Sequence, residues 1–234
     1  MKKIIGLAPS TNYGEELSCM GDTYKVGNNY AKRVLEQGCT PIGLAPIDNV
    51  LPDSTLDLCD GFVVQGGKDF YYYHFQVIHH AVENKKKYLG ICMGNQLIYA
   101  YFKLKSMVVE RGYTGDIVKA IYELFKQPGV EDLLLEKVEG HRFEFPPRGN
   151  EDLAKHNVKV EKDTILYNLL GARDMRICTL HNYATPRTQT LLKVNAWSSE
   201  GVVEGVEYGD YVLGVQGHPE ADRLLNKIFE FIAN

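Results

Sequence analysis

Residues 87–102 read Lys87-Tyr88-Leu89-Gly90-Ile91-Cys92-Met93-Gly94-Asn95-Gln96-Leu97-Ile98-Tyr99-Ala100-Tyr101-Phe102. The first five residues form a short apolar run suited to a buried strand, and the apolar stretch after Asn95 has the length of a helix. Cys92 therefore stands at a strand-to-helix turn. Such a turn needs small residues on both sides, and Gly-x-Cys-x-Gly is the thiol counterpart of the Gly-x-Ser-x-Gly elbow that lifts a nucleophile above a sheet. A helix N-terminus is also where a thiolate, the reactive form of cysteine, is stabilised. A cysteine met in isolation would read first as a buried structural thiol. The flanking glycines and a distant base reverse that preference.

The base lies in Gly214-Val215-Gln216-Gly217-His218-Pro219-Glu220, directly after the apolar run Tyr211-Val212-Leu213. In extended chain, residues i and i+2 project to one side, so His218 and Glu220 can serve as a base and the group that orients it. Pro219 stiffens the backbone between them. A third stretch, Asp60-Gly61-Phe62-Val63-Val64-Gln65-Gly66-Gly67-Lys68-Asp69, is a short apolar strand ending in two glycines. Taken alone it reads equally well as a plain glycine turn. Taken with Cys92, a backbone N–H near Gly66 or Gly67 and that of Met93 would suit a developing oxyanion.

Working outward, apolar strands alternate with helical patterns: Lys3 to Leu7, a helix around Gly27 to Gln37, Thr40 to Leu44, Gly61 to Gln65, a helix around Phe75 to Asn84, then Tyr88 to Cys92. This alternation signals βαβ units and a parallel sheet, whose ligands bind at the carboxyl ends of strands. Ile117 to Phe125 reads as a helix stopped by Pro128-Gly129, and Pro146 to Asn150 as a loop. The later runs Val158 to Glu161, Met175 to Thr179, Leu191 to Ala196, Gly201 to Tyr208 and Tyr211 to Val215 read as further strands, the last two joined by a tight turn at Tyr208-Gly209-Asp210. The aromatic run Tyr71-Tyr72-Tyr73 reads either as a pocket wall or as a packed helix face.

Together Cys92, His218-Pro219-Glu220, the Asp60 to Asp69 segment and the opening Ile4-Ile5-Gly6-Leu7 resemble the class I glutamine amidotransferase-like superfamily. Within it the chain is most similar to the stand-alone gamma-glutamyl hydrolases of the peptidase C26 group. Tyr30-Ala31 and Gly38-Cys39-Thr40-Pro41-Ile42 look like that group's first helix and second strand, and Thr179-Leu180-His181 looks like its Ser-x-His segment. The resemblance implies one amidotransferase-like domain over residues 1–234. Its α/β fold would be flavodoxin-like and three-layered, with a central mostly parallel sheet and a smaller antiparallel β element in the C-terminal half. It also implies a Cys92-His218-Glu220 triad, an oxyanion hole from Gly67 and Met93, and substrate contacts from Gly66, Gln96 and His181. The implied reaction is hydrolysis of a gamma-glutamyl or glutamine-like amide through a thioester. Two other readings stay open: a glutaminase delivering ammonia to a separate synthase partner, and a silent member that binds a metabolite or protein. Three places depart from the group's pattern, one of them Gln65 to His74, which lacks the proline usual before the glycines and the Asp-Pro usual after them. Met93 stands where the hydrolases commonly carry arginine, and Ser106 to Phe145 differs from the segment expected after the nucleophile helix.

Composition sets the remaining bounds. The chain has 234 residues and a formal net charge of -4 with mixed signs, so no basic patch argues for nucleic acid. No apolar run reaches the ~18 residues of a membrane helix, and the N-terminus reads as a strand, not a leader. Five cysteines in unpaired spacing suit a reducing cytoplasm. The seven histidines show no Cys-x-x-Cys or His-x-x-x-His pattern, so neither a metal nor another cofactor is expected. Homo-oligomer assembly is left open.

Overall fold

The computed structural model describes residues 2–11, 23–142, 150–187 and 191–234. Cys19 and the predicted loop from Pro146 to Gly149 lie outside the described residues.

A single nine-stranded sheet carries the molecule, in the order Thr40–Gly43, Ile4–Ala8, Gly61–Val64, Lys87–Ile91, Val212–Val215, Val203–Tyr208, Lys193–Ser198, Lys155–Val160, Asp174–Cys178. The first five are parallel to one another. In chain order they run 2-1-3-4-5, the flavodoxin-like doubly wound arrangement. The remaining four are antiparallel and extend the same sheet, while a small antiparallel pair, Glu136–Lys137 with Tyr183–Ala184, stands apart from it. The predicted tight turn survives: Tyr208 pairs with Val212, and Gly209 between them takes a φ of 57°.

Strand periodicity explains the three layers. Phe62, Val64, Tyr88 and Val212 pack to one face with the helices Tyr72–Glu83, Met93–Glu110 and Ile117–Phe125. Their alternates Val63, Leu89, Ile91, Leu213 and Val215 pack to the other, against Asn28–Glu36, Ile165–Leu170 and the C-terminal segment containing Ile228, Phe229 and Ile232. Buried on both faces, these parallel strands read as continuous apolar runs.

Some elements were not foreseen. Ile165–Leu170 is helical with Thr164 accepting from the Tyr167 N–H and Gly171 closing the end at φ 68°. The Thr-to-Gly cap pattern was present in the sequence but spans a segment too short for a periodicity signal. The short helix Asp53–Asp57 and the helical stretch Arg223–Phe229 were missed for the same reason. The aromatic run resolves as packing: Tyr73 is fully buried with its hydroxyl donating to the Pro9 carbonyl at 2.9 Å. Tyr71 stacks on Tyr73, and Tyr72 meets Tyr122 edge-on.

Candidate active site

Register brings the three predicted segments together. Val215 pairs with Ile91 and Val64 with Gly90, so residues 65–67, 92–93 and 216–220 leave the sheet side by side at its carboxyl end. The Cys92 N–H is held by the Val215 carbonyl at 2.9 Å. The helix Met93–Glu110 begins at once, with the Asn95 and Gln96 amides both donating to the Cys92 carbonyl.

The elbow is strained, and its glycines show why. Cys92 sits at φ 54°, ψ -107°, a conformation that L-residues rarely occupy. A Cβ on Gly94 would stand 2.2 Å from the Val64 carbonyl oxygen, and one on Gly90 would stand 2.3 Å from the Gly94 oxygen. The turn closes only because backbone passes against backbone at both positions. The Met93 N–H has no acceptor within its own helix, as for every first helical residue. The Met93 side chain packs toward Gly67, where a Cβ would meet its sulfur at 3.1 Å.

Cys92, His218 and Glu220 are all buried, between 6% and 7% exposed. His218 Nδ1 lies 2.8 Å from Glu220 Oε1, which assigns the proton to Nδ1 and turns Nε2 toward the nucleophile. Burial disfavours the charged His218 ring, but the Glu220 carboxylate and the Cys92 sulfur outweigh it and hold its pKa well above the ordinary value. A Cβ on Gly66 would meet the His218 ring at 2.9 Å and the Cys92 Cβ at 3.4 Å, so Gly66 is the floor on which base and nucleophile meet. The Cys92 sulfur lies 4.0 Å from the Leu180 carbonyl oxygen.

Two supporting residues come from the first helix, and nothing in their spacing marked them. Tyr30 accepts the Gly66 N–H at 3.3 Å and faces Glu220; burial and then the Glu220 charge push its phenol well above the ordinary value, keeping it protonated. Arg33, also buried, donates from Nε to the Glu220 carbonyl at 3.3 Å. Together they fix the turn that carries Glu220.

The site opens into a cleft of about 630 Å³ whose lining includes Gly66, Gly67, Cys92, Gln96, His181 and His218. Lys68, Asp69, Glu131 and Arg142 add charges of both signs at its wall. Gln96 and His181 reach the cleft, and each binds the protein through one of its polar atoms. The Gln96 amide donates to the Tyr183 carbonyl at 2.6 Å and to Gln216 Oε1 at 3.3 Å. His181 Nδ1 stands 3.0 Å from the same Tyr183 carbonyl. Their visible role is to fasten the Leu180 to Tyr183 segment over the nucleophile.

The peptidase C26 family profile matches residues 71–220, a span that contains Cys92, His218 and Glu220. The chain belongs to the peptidase C26 family. This C26 chain is also 22% identical to a glutamine amidotransferase-like protein of Rickettsia prowazekii, over 94% of its own length and 91% of the relative's. It is 26% identical to the CTP synthase of Sulfurisphaera tokodaii over 61% of its length, but spans only 27% of that synthase. Among solved structures, the acivicin-bound glutaminase domain of Trypanosoma brucei CTP synthase superposes with a TM-score of 0.63 at 19% identity, covering 99% of this chain and 93% of that one. A GMP synthase protein of Thermoplasma acidophilum gives 0.60 at 16% identity, covering 100% and 93%. These likenesses fix the class I amidotransferase-like fold for the C26 chain. Among its described residues, no helix is long and apolar enough to cross a membrane.

Proposed function

We propose that the protein is a cysteine-dependent hydrolase that cleaves the amide of a gamma-glutamyl or glutamine-like small molecule. The observation that carries this reading is the Glu220-bound His218 facing Cys92 at the strained elbow. Cys92 attacks the amide carbonyl as thiolate, its proton residing on His218. The oxyanion forms beside the Gly67 and Met93 amides. His218, oriented by Glu220, gives its proton to the leaving nitrogen, the C–N bond breaks, and a thioester remains on Cys92. Water, deprotonated by His218, then attacks the thioester and releases the carboxylate and the free thiol. Arg142 and Lys68 on the cleft wall suit the α-carboxylate of a glutamyl group, and Asp69 and Glu131 suit its α-ammonium.

A second reading, ammonia delivery to a synthase, is favoured by the likeness to CTP synthase and GMP synthase proteins. The two separate in one assay: the isolated chain is offered glutamine and a panel of gamma-glutamyl amides, and release of glutamate and amine is followed. Turnover of gamma-glutamyl amides by the chain alone supports the hydrolase; glutamine turnover that needs an added synthase supports the alternative. Undiminished hydrolysis by Cys92→Ala would remove both.

A further inference from the structure

Four side chains that the sequence keeps far apart converge behind the cleft wall. Glu204, on the strand Val203–Tyr208, is fully buried. His141 Nδ1 stands 3.0 Å from its Oε1, His156 Nε2 3.5 Å from its Oε2, and His181 Nε2 3.7 Å from its Oε1. His141 and His181 are themselves only 3% and 4% exposed. The His141 ring lies 4.9 Å from those of both His156 and His181. A carboxylate in such a place must be answered by positive charge or by donors. His141 Nδ1, at 3.0 Å, is within hydrogen-bond reach of Glu204, but among the described residues none of these three nitrogens and neither oxygen has an aligned hydrogen-bond partner.

Tautomer logic narrows the choice. The Tyr183 carbonyl near His181 Nδ1 can only accept, so Nδ1 carries the proton, and a neutral ring then turns its Nε2 lone pair toward Glu204. A lone pair facing a carboxylate oxygen repels it unless a cation lies between them. His141 repeats the pattern, with Nδ1 toward Glu204 and its Nε2 3.9 Å from the Glu200 carboxylate. One ring nitrogen on the ion and the other on a carbonyl or carboxylate is how metal-bound histidines are held.

We propose that His141, His156 and Glu204 hold a divalent transition-metal ion, and that the imidazole and carboxylate donor set selects zinc. In a tetrahedral zinc site with bonds of about 2.0–2.1 Å, donor atoms are separated by roughly 3.4 Å. The ligand atoms of His141, His156 and Glu204 all lie within 4.8 Å of one another, and His181 stands beside them, its Nε2 3.7 Å from Glu204 Oε1. Bound by groups from three segments, the ion acts as a staple between them. It ties strands Lys155–Val160 and Val203–Tyr208 to the bridged pair Arg142 and Leu180, whose segment stands over Cys92. The ligands come from three separate segments, which is why sequence spacing gave no sign of them. The inference does not depend on the chemistry assigned to Cys92.

The test is metal binding by the full chain. Purified protein is stripped with chelator, checked for folding by circular dichroism, and titrated with zinc and with cobalt(II) as a spectroscopic probe. One equivalent should bind, the cobalt form should show tetrahedral d–d bands without thiolate charge transfer, and the melting temperature should rise. His156→Asn should weaken zinc binding at least about 100-fold, since even outer partners of metal ligands contribute 10- to 100-fold; Cys92→Ser should leave zinc binding unchanged. Absence of saturable uptake by folded, stripped protein would leave a histidinium–carboxylate cluster and overturn the proposal. So would thiolate charge transfer that disappears with Cys92, or wild-type affinity in His156→Asn. Should His156→Asn not fold, the wild-type cobalt spectrum decides alone.

Discussion

Replacing Cys92 by glycine should give a more stable protein than replacing it by alanine, the reverse of the usual order. Both variants lose the thiol, so its packing and its contact with His218 cancel in the comparison. What differs is the Cβ, which alanine keeps at φ 54°, ψ -107° and glycine does not. Holding an L-residue in such a region costs about 1–3 kcal/mol. Glycine in turn loses roughly 0.5–1 kcal/mol through the greater freedom of its unfolded chain. The balance favours glycine by about 1 kcal/mol, which for a chain of this size raises the melting temperature by roughly 2–4 °C. Calorimetry and urea unfolding of the two variants, both inactive under the proposed mechanism, provide the measurement. An alanine variant more stable than the glycine one would show that the elbow stores no strain, and the argument that the fold forces the nucleophile into position would fail.

Gly94→Ala should destabilise the fold by about 3 kcal/mol or more, because its Cβ would stand 2.2 Å from the Val64 carbonyl and only backbone movement can relieve it; a melting temperature within a few degrees of wild type would contradict this. Glu220→Gln should lower kcat and move the alkaline limb of the pH–rate profile to lower pH, since the carboxylate is a main cause of the raised His218 value; an unshifted limb would assign Glu220 a purely structural role. Burial holds His74 down from 6.5 to about 4, and its ring accepts the Tyr71 N–H while facing the Pro9 carbonyl. Below pH 6.5 the unfolded chain takes up a proton that the folded one refuses, so stability should fall between pH 6.5 and about 4 by roughly 3 kcal/mol relative to a His74→Gln variant. Parallel pH–stability curves for the two proteins would refute it.

Much of the fold and the reacting centre is local and was therefore legible. The strand Lys87–Ile91, the turn at Cys92 and the helix after it follow from an apolar run, two glycines and a second apolar run within sixteen residues. His218 and Glu220 sit two residues apart, so their pairing is local, but it is made across the 3₁₀ turn Pro219–Ala221 and not along the extended chain that the sequence suggested. Strand alternation likewise announced the parallel sheet, because buried strands and their crossover helices differ in period over stretches long enough to read.

Tertiary structure decided everything that depends on which distant segments meet. Tyr30 and Arg33 lie 190 and 187 positions before Glu220, and only the docking of their helix makes them part of its support. Gln96 and His181, read as substrate contacts, line the cleft, and each also binds the Tyr183 carbonyl through one nitrogen. The histidines around Glu204 belong to separate strands and loops, and no spacing rule covers four segments brought together by an antiparallel sheet. Local sequence fixes dihedral preference and which face is buried, and so it specified the nucleophile and its turn. Charge partners across the sheet are chosen by packing, and so the walls of the cleft and the buried Glu204 cluster appear only once the chain has folded.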